Sequence, residues 1–155
     1  MNALTLTNSK NIVLAGLVGE ITFEAYAWLA SPVLFGVKLE PANLVIGLTK
    51  AATGMPLPYA AAFAIHFLIG SLGFAAAVFL MKQITKVGYE LAGILTGLAL
   101  WFIAQGILAP LMGRNFMMDF GTYTQSSFVG HVGMTLLIAV VWKHLSRQEQ
   151  AVRIG

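Results

Sequence analysis

Residues 11–34 read NIVLAGLVGEITFEAYAWLASPVL, and this stretch decides the fold. It is apolar almost throughout, and its only formal charges are Glu20 and Glu24. About 20 apolar residues cross the roughly 30 Å of hydrocarbon in a bilayer, so the segment is long enough to span one as a helix. A charge at the bilayer centre costs roughly 3 kcal/mol or more, so a carboxyl placed there faces a protein interior and usually acts in it.

Three more stretches have the same character. The expected spans are about 11–34, 58–81, 88–109 and 126–145. Pro58 suits a first helical turn, and Pro32 and Pro110 read as helix stops. The whole chain agrees: of 155 residues, 58% are hydrophobic and 10% charged, against about 25% charged in an average soluble domain. Mean hydropathy is +0.81. The fold class is therefore all-α, an integral membrane four-helix bundle in a single domain, residues 1–155, with the lipid bilayer as its solvent.

Nine Lys/Arg against six Asp/Glu make the chain basic. In a lipid setting that excess sets topology and meets anionic headgroups, so nucleic acid is not an expected partner. With the N-terminus inside, the inner side holds Lys10, Lys82, Lys86, Lys143, Arg147 and Arg153, and the outer side Lys38, Lys50 and Arg114. Both termini are thus expected in the cytoplasm, with a multi-pass chain and Trp142 at the inner interface. Met1–Lys10 is polar and has no signal-peptide pattern, so the first apolar stretch reads as a true helix. With no Cys in the chain, disulfides, thiolate metal sites and Cys nucleophiles are excluded.

The inner connection, Lys82 to Val87, is a tight hairpin. The first outer loop carries a short interfacial helix at about 41–53, with Leu44, Val45 and Leu48 on one face and Gly54 after it. The second, Gly113–Gln125, is too apolar for a freely solvated loop. Met112, Met117, Met118, Asp119 and Tyr123 make it a lid or a docking surface. A faint repeat relates Ala15–Val18 plus Ser31–Gly36 to Ala92–Leu95 plus Ala109–Gly113, which would make two parallel hairpins with His66 and His131 equivalent.

Depth gathers the polar residues. Glu24 lies eight residues before Pro32 and His66 eight residues after Pro58, so at about 1.5 Å per residue both fall about 12 Å below the outer helix ends. His131 and Gln105 fall near the same level on the other two helices. Glu20 shares a helix face with Glu24, one turn deeper. Each group alone has an ordinary reading: a membrane His or Gln is often interhelical glue. Coincidence across four helices favours a shared site of Glu20, Glu24, His66 and His131, with Gln105 supporting.

Three chemistries suit that set. Imidazole with carboxylate binds Fe, Mn or Zn, although the spacing is Glu-x-x-x-Glu and not the di-iron Glu-x-x-His. Two facing His beside Gly70, Gly73, Gly130 and Gly133 leave room for haem b, although Glu24 would then lie near the porphyrin. A proton or cation relay would use the same four residues. Met55, Met112, Met117 and Met118 add thioethers suited to Cu(I), or are ordinary interface filler. Gly93 and Gly97 permit close helix packing, internal or with a partner. No phosphate loop, nucleophile elbow or nucleotide fingerprint occurs.

Ile65-His66-Phe67-Leu68-Ile69-Gly70, Leu100-Trp101 and Gly130-His131-Val132-Gly133 resemble the YagU-like group of uncharacterised bacterial inner-membrane proteins. The resemblance runs from Ala15 to His144 and implies four helices and the inner membrane, with no activity to carry over. Glu20 and Glu24 are not part of its pattern. The expected function is a small non-catalytic subunit or accessory of a larger membrane complex, or a homo-oligomer, with an intramembrane metal or haem site. The alternatives are a small proton- or cation-coupled transporter and a redox enzyme acting on quinone or lipid.

Overall fold

A computed structural model of the chain describes residues 6–154, with side chains from 8 to 152. Part of the polar segment Met1–Lys10 and the Arg153 side chain therefore lie outside the described residues. Helix α1 covers residues 6–35, α2 Ala42–Thr53, α3 residues 59–85, α4 residues 89–111 and α5 Thr122–Ile154. No strand occurs among the described residues. All but α2 are long and apolar enough to cross a membrane. They close a ring in which α1 packs on α3, α3 on α4, α4 on α5 and α5 on α1. One end of this ring holds the short α3–α4 turn, called here the hairpin end. The opposite, distal end holds the two long connections.

Small residues set the helix spacing. A Cβ on Gly16 would lie 1.8 Å from the Ser71 carbonyl oxygen, and one on Gly97 would lie 2.6 Å from Val132 Cα. Gly93 likewise faces the α5 backbone. The Gly93/Gly97 pair is thus used inside the chain, between α4 and α5, as small-xxx-small pairs are between membrane helices. Ile138, Val78, Met134 and Trp142 fill the space so defined. Trp142 is turned into the bundle and not toward the rim. Its ring packs against Phe79 and Tyr89, and its indole N–H donates to Asn8 Oδ1 at 2.8 Å.

The prolines do not stop their helices. Helix α1 runs past Pro32 to Phe35, and α4 past Pro110 to Leu111. Each proline follows a π-helical segment, Tyr26–Ala30 in α1 and Ile103–Leu108 in α4. A proline ring normally strikes the carbonyl four residues back. Widening the preceding turn moves that carbonyl aside, and such bulges gather at functional sites. In α1 the Ala27 carbonyl, five residues before Pro32, accepts from the Leu39 N–H at 3.3 Å, which ties down the α1–α2 connection. Helix α3 widens too, at Ile69–Phe74, where Gly70 and Gly73 replace proline as the cause. Ser71 Oγ donates back to the Phe67 carbonyl at 2.7 Å, a bond that bends helices.

At the distal end α2 rests on the start of α3 through Ala42, Val45 and Ala62. The second long connection contains one left-handed turn: Met117, Met118, Asp119 and Phe120 have φ of 51°, 45°, 56° and 54°. Without glycine this conformation costs roughly 1–2 kcal/mol per residue. It is held by burial of Met117 and by Thr124 Oγ1, which donates to the Met117 carbonyl at 2.6 Å.

Candidate functional site

Two faces of two helices make the site. Glu20 and Glu24, four residues apart, project from the same side of α1. Across from them α3 presents His66 one turn before Gly70. His66 Nε2 lies 3.4 Å from Glu20 Oε1 and 3.6 Å from Glu24 Oε1. One donor atom from each residue fits within a 4.8 Å span.

Glycine explains how a carboxylate reaches this position. A Cβ on Gly70 would lie 1.8 Å from Glu20 Oε2, so the carboxylate occupies the space a side chain would take. The room beside His66 that a haem would need is filled by Glu20. Phe23 lies against both His66 and His131, with ring centroids 6.1 and 6.3 Å away. His66 Nε2 is turned to the two carboxylates, and the Phe23 ring lies against both imidazoles.

Hydrogen bonding is incomplete here in an unusual way. Both oxygens of Glu20, both of Glu24 and His66 Nε2 are buried without a hydrogen-bond partner. Glu20 is sealed completely, at 0% exposure. The Trp28 indole approaches Glu24 without reaching hydrogen-bond geometry. Buried polar groups are almost always paired, and each exception needs an explanation such as an ion or a catalytic role.

The remaining polar residues line the same cavity from the other two helices. It has a volume of about 240 Å³ and is bounded by Glu20 and His66 from α1 and α3, and by Gln105, Ser127 and His131 from α4 and α5. His131 does not join the Glu20–Glu24–His66 cluster. Its Nδ1 is held by its own helix, 2.8 Å from the Ser127 carbonyl oxygen. Gln105 Nε2 donates to Ser127 Oγ at 3.1 Å, while Gln105 Oε1 is buried and unpaired.

The distal residues separate. Met118, Met112 and Tyr123 line the cavity roof. Met112 Sδ packs where a Gly47 side chain would be, Met118 Sδ takes a weak contact from Arg114 at 3.9 Å, and Met55 is exposed. Asp119 is exposed and accepts from Asn115 Nδ2 at 2.7 Å. Between α1 and α5, Tyr26 Oη and Ser31 Oγ both meet Ser126 Oγ, at 2.8 and 2.6 Å. That knot fixes the distal end.

With this geometry in view, the chain was compared with models of protein families, with curated proteins and with solved structures. It matches none of them. Of the three grouped residues, Glu20 and His66 border the cavity. Gly70, Phe23 and Ser127 belong to this architecture, and depth along the helices does not find them. Gly70 carries a signal of another kind, since it lies one helical turn from His66 on the same face.

Proposed function

We propose that Glu20, Glu24 and His66 hold a divalent cation inside a multi-pass membrane protein. Two buried carboxylates facing one imidazole, with no hydrogen bond to any of their inward atoms, are the observation that carries this. Cation–donor bonds of about 2.1 Å at tetrahedral or octahedral angles put neighbouring donors about 3.0–3.4 Å apart. His66 Nε2 stands 3.4 and 3.6 Å from its two carboxylates. A dication would cancel the two carboxylate charges, which an apolar interior would otherwise disfavour strongly. Carboxylate with imidazole favours Mn, Fe or Zn over the softer Cu(I).

The same proposal puts both termini in the cytoplasm, following the Lys and Arg distribution, and the chain in the bacterial inner membrane. It makes the chain a non-catalytic subunit or accessory of a larger membrane complex, or a homo-oligomer. The resemblance to the YagU-like group through His66, Trp101 and His131 fits that location. Calorimetric titration of chelator-treated protein with Mn²⁺, Fe²⁺ and Zn²⁺ tests the site. One cation per chain is expected, with binding lost in Glu20→Gln and in His66→Ala. Absence of saturable binding for all three overturns it.

A proton or cation pathway has one observation in its favour. His66 Nε2 stands between Glu20 Oε1 and Glu24 Oε1, 3.4 and 3.6 Å away, a succession of titratable groups such as proton relays use. Flux into liposomes that disappears in Glu24→Gln, from protein that binds none of the three cations, would select this alternative.

A further inference from the structure

The cavity beside the cluster has its own chemistry, set by α4 and α5. Its walls are mainly apolar, including Phe23, Leu44, Leu108 and Met134. Phe23 and Phe74 add aromatic edges and faces around His131, with ring centroids 6.3 and 5.6 Å from the imidazole. An engineered apolar cavity of about 150 Å³ holds benzene. At about 240 Å³ this one has room for a single ring with small substituents, about ten non-hydrogen atoms by the same scale.

Outside the Glu20–Glu24–His66 cluster, one polar atom on its wall is buried without a partner, Gln105 Oε1, and it accepts. Gln105 Nε2 is engaged with Ser127 Oγ, which leaves the buried Oε1 free. A carbonyl oxygen can only accept, so His131 Nδ1 donates to Ser127 O. In the neutral ring Nε2 then keeps a lone pair. A buried acceptor left unpaired carries a standing penalty, which a ligand that donates to it removes.

We infer that this cavity binds a single-ring hydroxylated aromatic molecule, of the phenol class, whose O–H donates to Gln105 Oε1 or His131 Nε2. Its ring stacks among the apolar walls. Gln105 and His131 carry this without the Glu20 cluster, so the cation site can fail while the phenol site stands.

Fluorine NMR of para-fluorophenol and of fluorobenzene, with the protein in nanodiscs and empty nanodiscs as reference, tests it. The phenol is expected to bind saturably and about tenfold tighter than fluorobenzene, the worth of one hydrogen bond to a buried acceptor. Equal binding of the two probes, or saturation by neither, overturns the inference. Gln105→Leu should shrink the preference while the ring still binds, and an unchanged preference counts against it. Should that variant not fold, the two-probe comparison on the native chain still decides. Chelator treatment should leave the preference intact. Its loss would mean that the hydroxyl sits on a cation and would overturn the assignment to Gln105 and His131.

Discussion

Replacing Gly70 by alanine should empty the proposed cation site while leaving the fold in place. The new Cβ would lie 1.8 Å from Glu20 Oε2, whereas ordinary contact begins at 3.4 Å. The carboxylate must therefore retreat by about 1.6 Å, the difference of those two distances. Metal–ligand distances tolerate only about ±0.2 Å, so Glu20 drops out of a three-donor set. Loss of an orienting partner alone costs 10–100-fold in affinity. Loss of a donor should reach at least about 100-fold, or about 2.7 kcal/mol. Stability should change little, because Ala gains about 1 kcal/mol over Gly in a helix and the group that yields is the tip of a side chain. Gly73→Ala is the control, since its Cβ meets only Ile69 Cγ2 at 3.7 Å. Zn²⁺ titration and thermal unfolding of both variants give the answer. Native Zn²⁺ affinity in Gly70→Ala would refute the placement of Glu20 against Gly70.

Other substitutions probe the frame around the site. Gly97→Ala would push a Cβ to 2.6 Å from Val132 Cα and 2.9 Å from the His131 carbonyl oxygen, and backbone cannot yield cheaply. A loss of about 1–3 kcal/mol is expected in denaturant unfolding. Ser126→Ala removes the hydroxyl that Tyr26 and Ser31 share. Each keeps another acceptor, the Ser126 carbonyl and the Val37 carbonyl, so the cost should be about 1 kcal/mol. Lys86 closes α3 with φ of 57°, where glycine is preferred. Lys86→Gly should stabilise by about 0.5–1 kcal/mol, read as a higher melting temperature.

Helical rise makes part of this site legible in the sequence. Glu24 and His66 fall at one level because a helix rises a fixed amount per residue, and Pro32 and Pro58 lie close to the distal ends of their helices. Glu20 joins them by i, i+4 spacing. Its seat against Gly70 depends on the register between α1 and α3, which no single helix encodes. Ser127 and His131 are also four apart, a spacing that lets α5 hold Nδ1 within its own turn. Pro32 and Pro110 mislead as helix stops, because the penalty of a proline can be relieved by widening the turn before it. The left-handed turn at Met117–Phe120 has no local sign at all, since none of those residues is the glycine such a turn prefers.

The most direct measurement is elemental mass spectrometry on protein purified gently in detergent without a histidine-rich tag, with Glu20→Gln prepared in parallel. Manganese, iron or zinc near one atom per chain, and absent from Glu20→Gln, is the predicted result. Metal at the same level in both proteins, or in neither, would contradict a cation held by Glu20, Glu24 and His66.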